Sequence, residues 1–197
     1  MDHPDLAAMI GSRICHDLIS PIGAIGNGME LLTMSGSQLG PEIALISESV
    51  SNANARIRFF RIAFGSAKRG QTVARSEILS TLSDMTVGSR LSLRWKVAGD
   101  RDRVDVKCAF LALQCMESAL PYGGEVTVDA DGDGWTIAAD AARTMINPEC
   151  WALLDGSGDS SALVPAQVRF ALLPRELARD GRRAHVKRSE TRISISY

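Results

Sequence analysis

Three residues near the N terminus, His16, Asp17 and Pro21, are of types that together could accept a phosphoryl group. A neutral imidazole is a good nucleophile near neutral pH, since one ring nitrogen can attack while the other keeps its proton. The adjacent carboxylate of Asp17 would hold the protonated nitrogen and stabilise the positive charge that develops on the ring. Pro21 has no N–H to donate to the carbonyl of Asp17, so it predicts a kinked or loosened helix beneath the histidine. An exposed histidine alone is usually an ordinary surface residue, and these two neighbours favour a functional one.

The surroundings of His16 are suited to the approach of a second protein. On a helical projection of about 100° per residue, His16 lies roughly opposite the apolar side of its predicted helix, so we expect it to be exposed. Its neighbours within two turns are mostly polar or small and form a predicted docking surface: Ser12, Arg13, Ile19, Ser20 and Gly23. The other two histidines, His3 near the terminus and His185 at the start of a predicted strand, are weaker candidates.

The elements that must position His16 are two long helices. From Leu6 to Met34, apolar residues recur in alternating steps of four and three, which predicts a helix with a coiled-coil seam. The seam holds Leu18, Ile22, Ile25, Met29 and Leu32, preceded by the small residues Ala8, Gly11 and Cys15. Residues 35–41 predict a turn, and a second helix begins at Pro41 and ends near Gly65. Its seam holds Ile43, Ile46, Val50, Ala53, Ile57, Phe60 and Phe64. Because two such helices cannot bury their seams alone, we predict an antiparallel hairpin that dimerises into a four-helix bundle.

A second domain begins near residue 70, where the pattern changes. Alternation in RLSLRWKV places Leu91, Leu93, Trp95 and Val97 on one face of a strand. An apolar helix is predicted around 103–120, followed by a hairpin where Asp-Gly-Asp-Gly separates two alternating runs. A helix at 164–179 and a closing strand pair complete the chain. Helices mixed with antiparallel strands predict an α+β fold with two domains, 1–68 and 70–197.

Composition and charge restrict the possible classes of protein. The chain has 197 residues, of which 45% are hydrophobic and 23% charged, with a formal net charge of -1. This balance fits neither a disordered acidic tail nor a basic nucleic-acid-binding body. No apolar run approaches the roughly 18 to 20 residues that span a bilayer, so we expect a cytoplasmic protein that binds neither nucleic acid nor membrane. The four cysteines lack CxxC spacing, which argues against a disulfide framework and a structural zinc site.

The pattern His-Asp-x-x-x-Pro at His16, Asp17 and Pro21 resembles the H-box of histidine kinase dimerisation and phosphotransfer domains. The fuller run CHDLISPIGAIGNGMELL, with the second helix and a degenerate kinase-like domain, is similar to the ChpT-type histidine phosphotransferases of alphaproteobacterial cell-cycle phosphorelays. The resemblance covers essentially the whole chain. It implies a homodimer whose His16 accepts a phosphoryl group from the receiver domain of a hybrid histidine kinase and passes it to response regulators. It further implies that magnesium arrives with the receiver and that the second half is a Bergerat-like α/β sandwich.

The motifs by which such a sandwich binds ATP are largely missing. The helix equivalent to the N-box reads FLALQCMESALPYGG and has no asparagine for the magnesium that bridges the phosphates. Where a kinase would show Asp-x-Gly-x-Gly, the chain reads DAART from Asp140, and only the aspartate matches. Gly156 and Gly158 in LDGSGDSS fit an ordinary turn better than a phosphate-cradling loop. We therefore predict a protein-histidine phosphotransferase with no bound ATP and no resident metal.

Two alternatives stay open at this point. An ATP-dependent histidine kinase would use the same His16 but would need the missing nucleotide motifs. A non-catalytic docking protein would hold a response regulator or a sigma factor on the degenerate domain, with His16 incidental. Nucleotide binding distinguishes the first alternative, and the phenotype of His16→Ala distinguishes the second.

Overall fold

A computed structural model of the chain describes residues 5–35, 41–132 and 134–197. The chain begins with two long helices, α1 (Leu6–Ser35) and α2 (Pro41–Ala63), which pack along each other. Gly28 lies beside Ile46, and Asp17 lies beside Arg56, so the two helices run antiparallel. The predicted helical hairpin is confirmed. Residues 36–40 of the predicted turn lie outside the described residues.

Local chemistry explains where α1 and α2 begin and how closely they pack. The carboxylate of Asp5 accepts hydrogen bonds from the backbone N–H groups of Ala7 and Ala8, at 3.0 and 3.1 Å, and so caps the first turn of α1. Pro41 opens α2, where its missing N–H costs no helical hydrogen bond. A Cβ atom on Gly28 would lie 2.6 Å from Cγ1 of Ile46, so the absence of a side chain lets the helices approach there.

The rest of the chain forms a mixed layer of helices and strands. Its helices are α3 (Arg75–Thr86), α4 (Arg103–Ala119), α5 (Pro148–Ala152) and α6 (Val168–Arg179), with a 3-10 turn at Pro165–Gln167 before α6. Its strands are β1 (Thr72–Val73), β2 (Leu91–Trp95), β3 (Arg101–Asp102), β4 (Gly124–Asp131), β5 (Gly134–Asp140), β6 (His185–Arg188) and β7 (Arg192–Ser196). Five of these strands form a sheet in the order β2-β4-β5-β7-β6, and β1 pairs with β3. The predicted α+β organisation is confirmed.

One face of the sheet is apolar because side chains alternate along each strand. Residues of β4, β5 and β7 that point inward are fully or nearly fully buried: Val126, Val128, Trp135, Ile137, Ala139, Ile193 and Ile195. Helix α4 packs against β4 and β5, and α6 packs on α4. The predicted hairpin joins β4 to β5, with Asp131 opposite Gly134. Gly132 has a φ of 58°, which a glycine adopts without strain.

The structure differs from the sequence prediction in two respects. Strands β2 and β4 pair in parallel, although only antiparallel pairs were expected. The connection between them contains α4, as a parallel pair requires a long crossover. Helices α3 and α5 and the short pair β1–β3 were not predicted. Helix α3 buries only three residues, Ile78, Thr81 and Leu82, so its periodic signal is weak.

The end of α2 belongs to the same hydrophobic core as the sheet layer. Phe59, Phe60, Ile62 and Ala63 are buried, and the ring of Phe59 lies 4.7 Å from that of Phe110 on α4. Helix α1 also contacts α6 and the 3-10 turn before it, and Leu6, Ile10 and Ile14 of its N-terminal half pack against the core. The helical hairpin and the sheet layer therefore share one continuous core. The division into 1–68 and 70–197 remains a prediction about sequence units.

Candidate functional site

His16 lies on α1 with an open surface around its ring. Its side chain is 82% exposed, which confirms the expectation from the helical projection. The Nδ1 atom lies 3.2 Å from Oδ1 of Asp17. An ionised carboxylate only accepts hydrogen bonds, so this contact favours the tautomer with the proton on Nδ1. The Nε2 atom is then the nitrogen available as a nucleophile.

Asp17 differs from His16 in being largely enclosed. Its side chain is 8% exposed, and its second oxygen, Oδ2, lies 2.9 Å from Nη2 of Arg13 and 3.9 Å from Nη1 of Arg56. A buried carboxylate is stable only when its charge is compensated, and these two guanidinium groups supply that compensation. The two oxygens therefore have separate partners: Oδ1 faces the imidazole and Oδ2 faces the arginines.

Most of the other predicted site residues are exposed, whereas Pro21 and Arg13 are not. Pro21 is buried, and α1 continues through it without interruption. Ser12, Ile19, Ser20 and Gly23 of the docking surface are exposed, with Ile19 68% exposed. Arg13 departs from the expectation, because its side chain turns toward Asp17 and is only 20% exposed. His3 lies outside the described residues, and His185 is exposed at the start of β6.

Sequence reasoning missed the approach of Arg56 to the site. Arg56 belongs to a basic group on the second helix, with Arg58 and Arg61, and periodicity does not give the register between two helices. The structure places it opposite Asp17, and its Nε donates to Oδ1 of Asn52 at 2.9 Å. The available signal was its spacing of three residues from Ala53 and four from Phe60, both in the predicted seam, which places Arg56 at the edge of the apolar side of the helix.

Both helices of the hairpin carry exposed apolar residues at intervals of seven, which we term the exposed stripe. Ile22 and Met29 on α1 and Ile43, Val50 and Ile57 on α2 are between 41% and 58% exposed. Residues seven apart lie on nearly the same side of a helix. Leu18, Ile25 and Leu32 of the predicted α1 seam are half-buried instead. Some seam residues of α1 are thus half-buried within the chain, while others are left exposed on the outer face of the hairpin.

Residues at the positions of the expected nucleotide motifs form ion pairs within the chain. Asp140 is exposed on β5, and both its oxygens accept hydrogen bonds from Nη1 of Arg192, at 2.9 and 3.1 Å. On α4, the buried Lys107 is paired with Glu176 of α6 at 3.3 Å. Within residues 5–35, 41–132 and 134–197, no three His, Cys, Asp or Glu side chains are grouped as a metal site. In the same part of the chain, no helix is both long and apolar enough to span a membrane.

Comparisons with known proteins identify the family of this chain and agree with its fold. A family model described as the histidine phosphotransferase C-terminal domain matches residues 75–192, and the chain therefore belongs to that family. The protein phosphotransferase ChpT of Brucella abortus (strain 2308) is 37% identical over 130 residues, which is 65% of this chain and 62% of that protein. The matched stretch thus spans less than two thirds of that relative. The solved structure of a bacterial phosphotransferase superposes with a TM-score of 0.84 at 28% identity, covering 100% of this chain and 97% of the other.

Proposed function

We propose that this chain is a histidine phosphotransferase that carries a phosphoryl group on Nε2 of His16. The group would come from the receiver domain of a hybrid histidine kinase and pass to response regulators, in a cytoplasmic phosphorelay of the cell-cycle type. The observation that carries the proposal is an exposed imidazole held by an enclosed carboxylate, Asp17. Membership of the family and the similarity to a phosphotransferase along the whole chain support it.

The chemistry follows from the two ring nitrogens. In the first step the Nε2 lone pair attacks the phosphorus of an aspartyl phosphate in line, and the bond to the aspartyl oxygen breaks with its electron pair leaving on that carboxylate. The Nδ1 proton stays on the ring, so the phosphorylated imidazole is cationic, and Asp17 stabilises that charge. In the second step an aspartate oxygen of another receiver attacks the phosphorus, and the electron pair returns to Nε2. Phosphoryl transfer depends mainly on alignment and charge, and the receiver would supply magnesium for both steps.

The receiver would approach over the docking surface. The exposed members, Ser12, Ile19, Ser20 and Gly23, surround His16 on the outer side of α1. Small and polar side chains leave room for a second protein to bring its aspartate to the ring. Ile19, at 68% exposure, supplies an apolar contact at the centre of this surface.

The proposal includes a homodimer built on the exposed stripe. A second copy would cover the apolar residues of both helices and complete a four-helix bundle. Sedimentation equilibrium of the wild type should give twice the chain mass of 21.2 kDa. The double variant Ile22→Glu/Val50→Glu should give the chain mass, because two carboxylates per chain would enter the apolar interface. A monomeric wild type would rule out the four-helix bundle.

The test of function is transfer of labelled phosphate from a phosphorylated receiver domain to the purified protein. Acid-labile label that appears on the wild type, is absent from His16→Ala and does not appear with ATP alone would support the phosphotransferase. Labelling from ATP alone would show a kinase. No labelling from any receiver, with full cellular function retained by His16→Ala, would favour the docking protein.

A further inference from the structure

We propose that Arg13 and Arg56 are positioning residues that hold the Asp17 carboxylate in the orientation which keeps Nε2 of His16 free for attack. The inference rests on the proposed function but concerns the resting protein. It assigns a role to two side chains from different helices that meet at one carboxylate oxygen. Neither arginine would touch the phosphoryl group.

The geometry separates the two oxygens of Asp17. Nη2 of Arg13 lies 2.9 Å from Oδ2, and Nη1 of Arg56 lies 3.9 Å from the same atom. Oδ1 is left for Nδ1 of His16, at 3.2 Å. Both guanidinium groups lie near Oδ2, so turning the carboxylate away would move its negative charge from these two cations. That loss of attraction would be large because the Asp17 side chain is only 8% exposed and so is poorly screened by water. The arginines therefore fix the orientation of the carboxylate, so that one of its two equivalent oxygens stays directed at the imidazole.

Arg56 is itself held in place. Its Nε donates to Oδ1 of Asn52, one turn earlier on α2, at 2.9 Å. With Nε engaged by Asn52, Nη1 of the same guanidinium lies 3.9 Å from Oδ2 of Asp17 across the hairpin. Arg56 thus links the orientation of the carboxylate on α1 to the packing of α2, whereas Arg13 acts from one turn away on α1 itself.

The chemical consequence concerns the tautomer of His16. A neutral histidine side chain in water favours the form with the proton on Nε2, which would block the exposed nitrogen. A carboxylate fixed beside Nδ1 accepts a proton from that atom and reverses the preference. A loosely held carboxylate would turn toward solvent or toward a single arginine. The population of the reactive tautomer would then fall.

The first measurement is the ring ¹⁵N spectrum of the full-length protein labelled at histidine, recorded at a pH where the imidazole is neutral. The signal of His16 is assigned by its loss in His16→Gln, which separates it from His3 and His185. We expect mainly the Nδ1–H form in the wild type. The double variant Arg13→Met/Arg56→Met should move the population toward Nε2–H.

The second measurement is the phosphotransfer rate from a phosphorylated receiver at saturating concentration. We expect it to fall about tenfold in Arg56→Met, because Asp17 loses one of the two cations that hold it beside the imidazole, with little change in the half-saturating receiver concentration. Arg56→Lys should recover part of the rate, because it restores the charge. Arg58→Met is the matched control: Arg58 lies two residues further on α2 and pairs with Asp84 instead. It should leave tautomer and rate unchanged.

The outcomes separate this inference from the proposed function. An unchanged tautomer in a double variant that melts cooperatively would overturn the positioning role. A lower rate with an unchanged tautomer would also overturn it, because the arginines would then act in receiver binding. If the wild type accepts no phosphate from any receiver, the proposed function fails, while the tautomer shift would still establish the positioning role.

Discussion

The replacement of Phe59 tests whether the hairpin and the sheet layer unfold as one unit. Phe59 is 3% exposed, and its ring lies 4.7 Å from that of Phe110, which is fully buried on α4. Phe59→Ala would therefore open a cavity between α2 and the layer that carries the sheet. Such truncations of a buried ring lower the unfolding free energy by about 3–5 kcal/mol. For a chain of this size, each kcal/mol lowers Tm by about 2–4 °C, so we expect a Tm lower by about 6–20 °C. Phe59→Leu keeps most of the volume and should cost only about 1–1.5 kcal/mol.

The assay uses two probes that report on different parts of the chain. The three tryptophans, Trp95, Trp135 and Trp151, all lie in the sheet layer, whereas α1 and α2 make a large contribution to the far-ultraviolet circular dichroism. Urea unfolding of Phe59→Ala at fixed protein concentration should shift both signals by the same free energy. The control Asn54→Ala changes an exposed residue of α2 and should stay within about 0.5 kcal/mol of the wild type. A tryptophan transition that keeps its wild-type midpoint while the circular dichroism shifts would refute the shared core.

The further predictions concern close packing, one buried ion pair and the buried thiols. Gly28→Ala should destabilise the hairpin by about 1–3 kcal/mol through overpacking, because the new Cβ would lie 2.6 Å from Cγ1 of Ile46. The control Gly26→Ala should not destabilise it, because a Cβ there meets no neighbour within 4 Å. Equal urea midpoints for the two variants would contradict this prediction. Glu176→Leu should cost about 3–5 kcal/mol, since it leaves the buried ammonium of Lys107 unpaired. Lys107→Met should cost less, because Glu176 keeps Arg179 at 2.9 Å, and the reverse order in thermal melts would count against this assignment. Burial raises the pKa of the Cys108 and Cys115 thiols from 9.0 to about 12. A thiol reagent at pH 8 should therefore react rapidly only with the exposed Cys15, since the other three cysteines are buried. After unfolding it should react with all four. Unfolded thiols ionise near their ordinary pKa while these two stay protonated, so the unfolding free energy should fall as pH rises from 9.0 toward 12, and Cys108→Ala should weaken that fall.

Periodicity predicted the elements that carry His16 but could not predict how they meet. The alternating apolar steps predicted α1 and α2, and the turn residues before Pro41 and the glycine at position 65 predicted their ends to within two residues. The exposure of His16 followed from the same projection. The contact between Asp17 and Arg56 joins residues far apart in sequence, and it depends on a helix register that neither segment encodes by itself.

The sheet layer shows the same division between local and long-range information. The hairpin of β4 and β5 was predicted because its turn residues lie between two alternating runs. The parallel pairing of β2 with β4 was not, since a strand's own pattern does not identify its neighbour. The sequence also did not predict that some seam residues of α1 are half-buried while others lie on an uncovered face. Ile22 and Ile25 look equivalent in sequence, yet Ile22 is exposed and Ile25 is half-buried.

The support of α1 at both ends has a consequence for the speed of association. Toward its C-terminal half the helix packs closely on α2 at Gly28, and Leu6, Ile10 and Ile14 of its N-terminal half pack against the core. His16 thus lies on backbone that is already ordered before any partner arrives, and complex formation requires no local folding. Association should then be limited by diffusion and orientation, at about 10⁵–10⁷ M⁻¹s⁻¹, with differences between partners expressed mainly in how fast they dissociate. A surface of this kind would suit the proposed exchange between a phosphoryl donor and an acceptor that dock on it in turn.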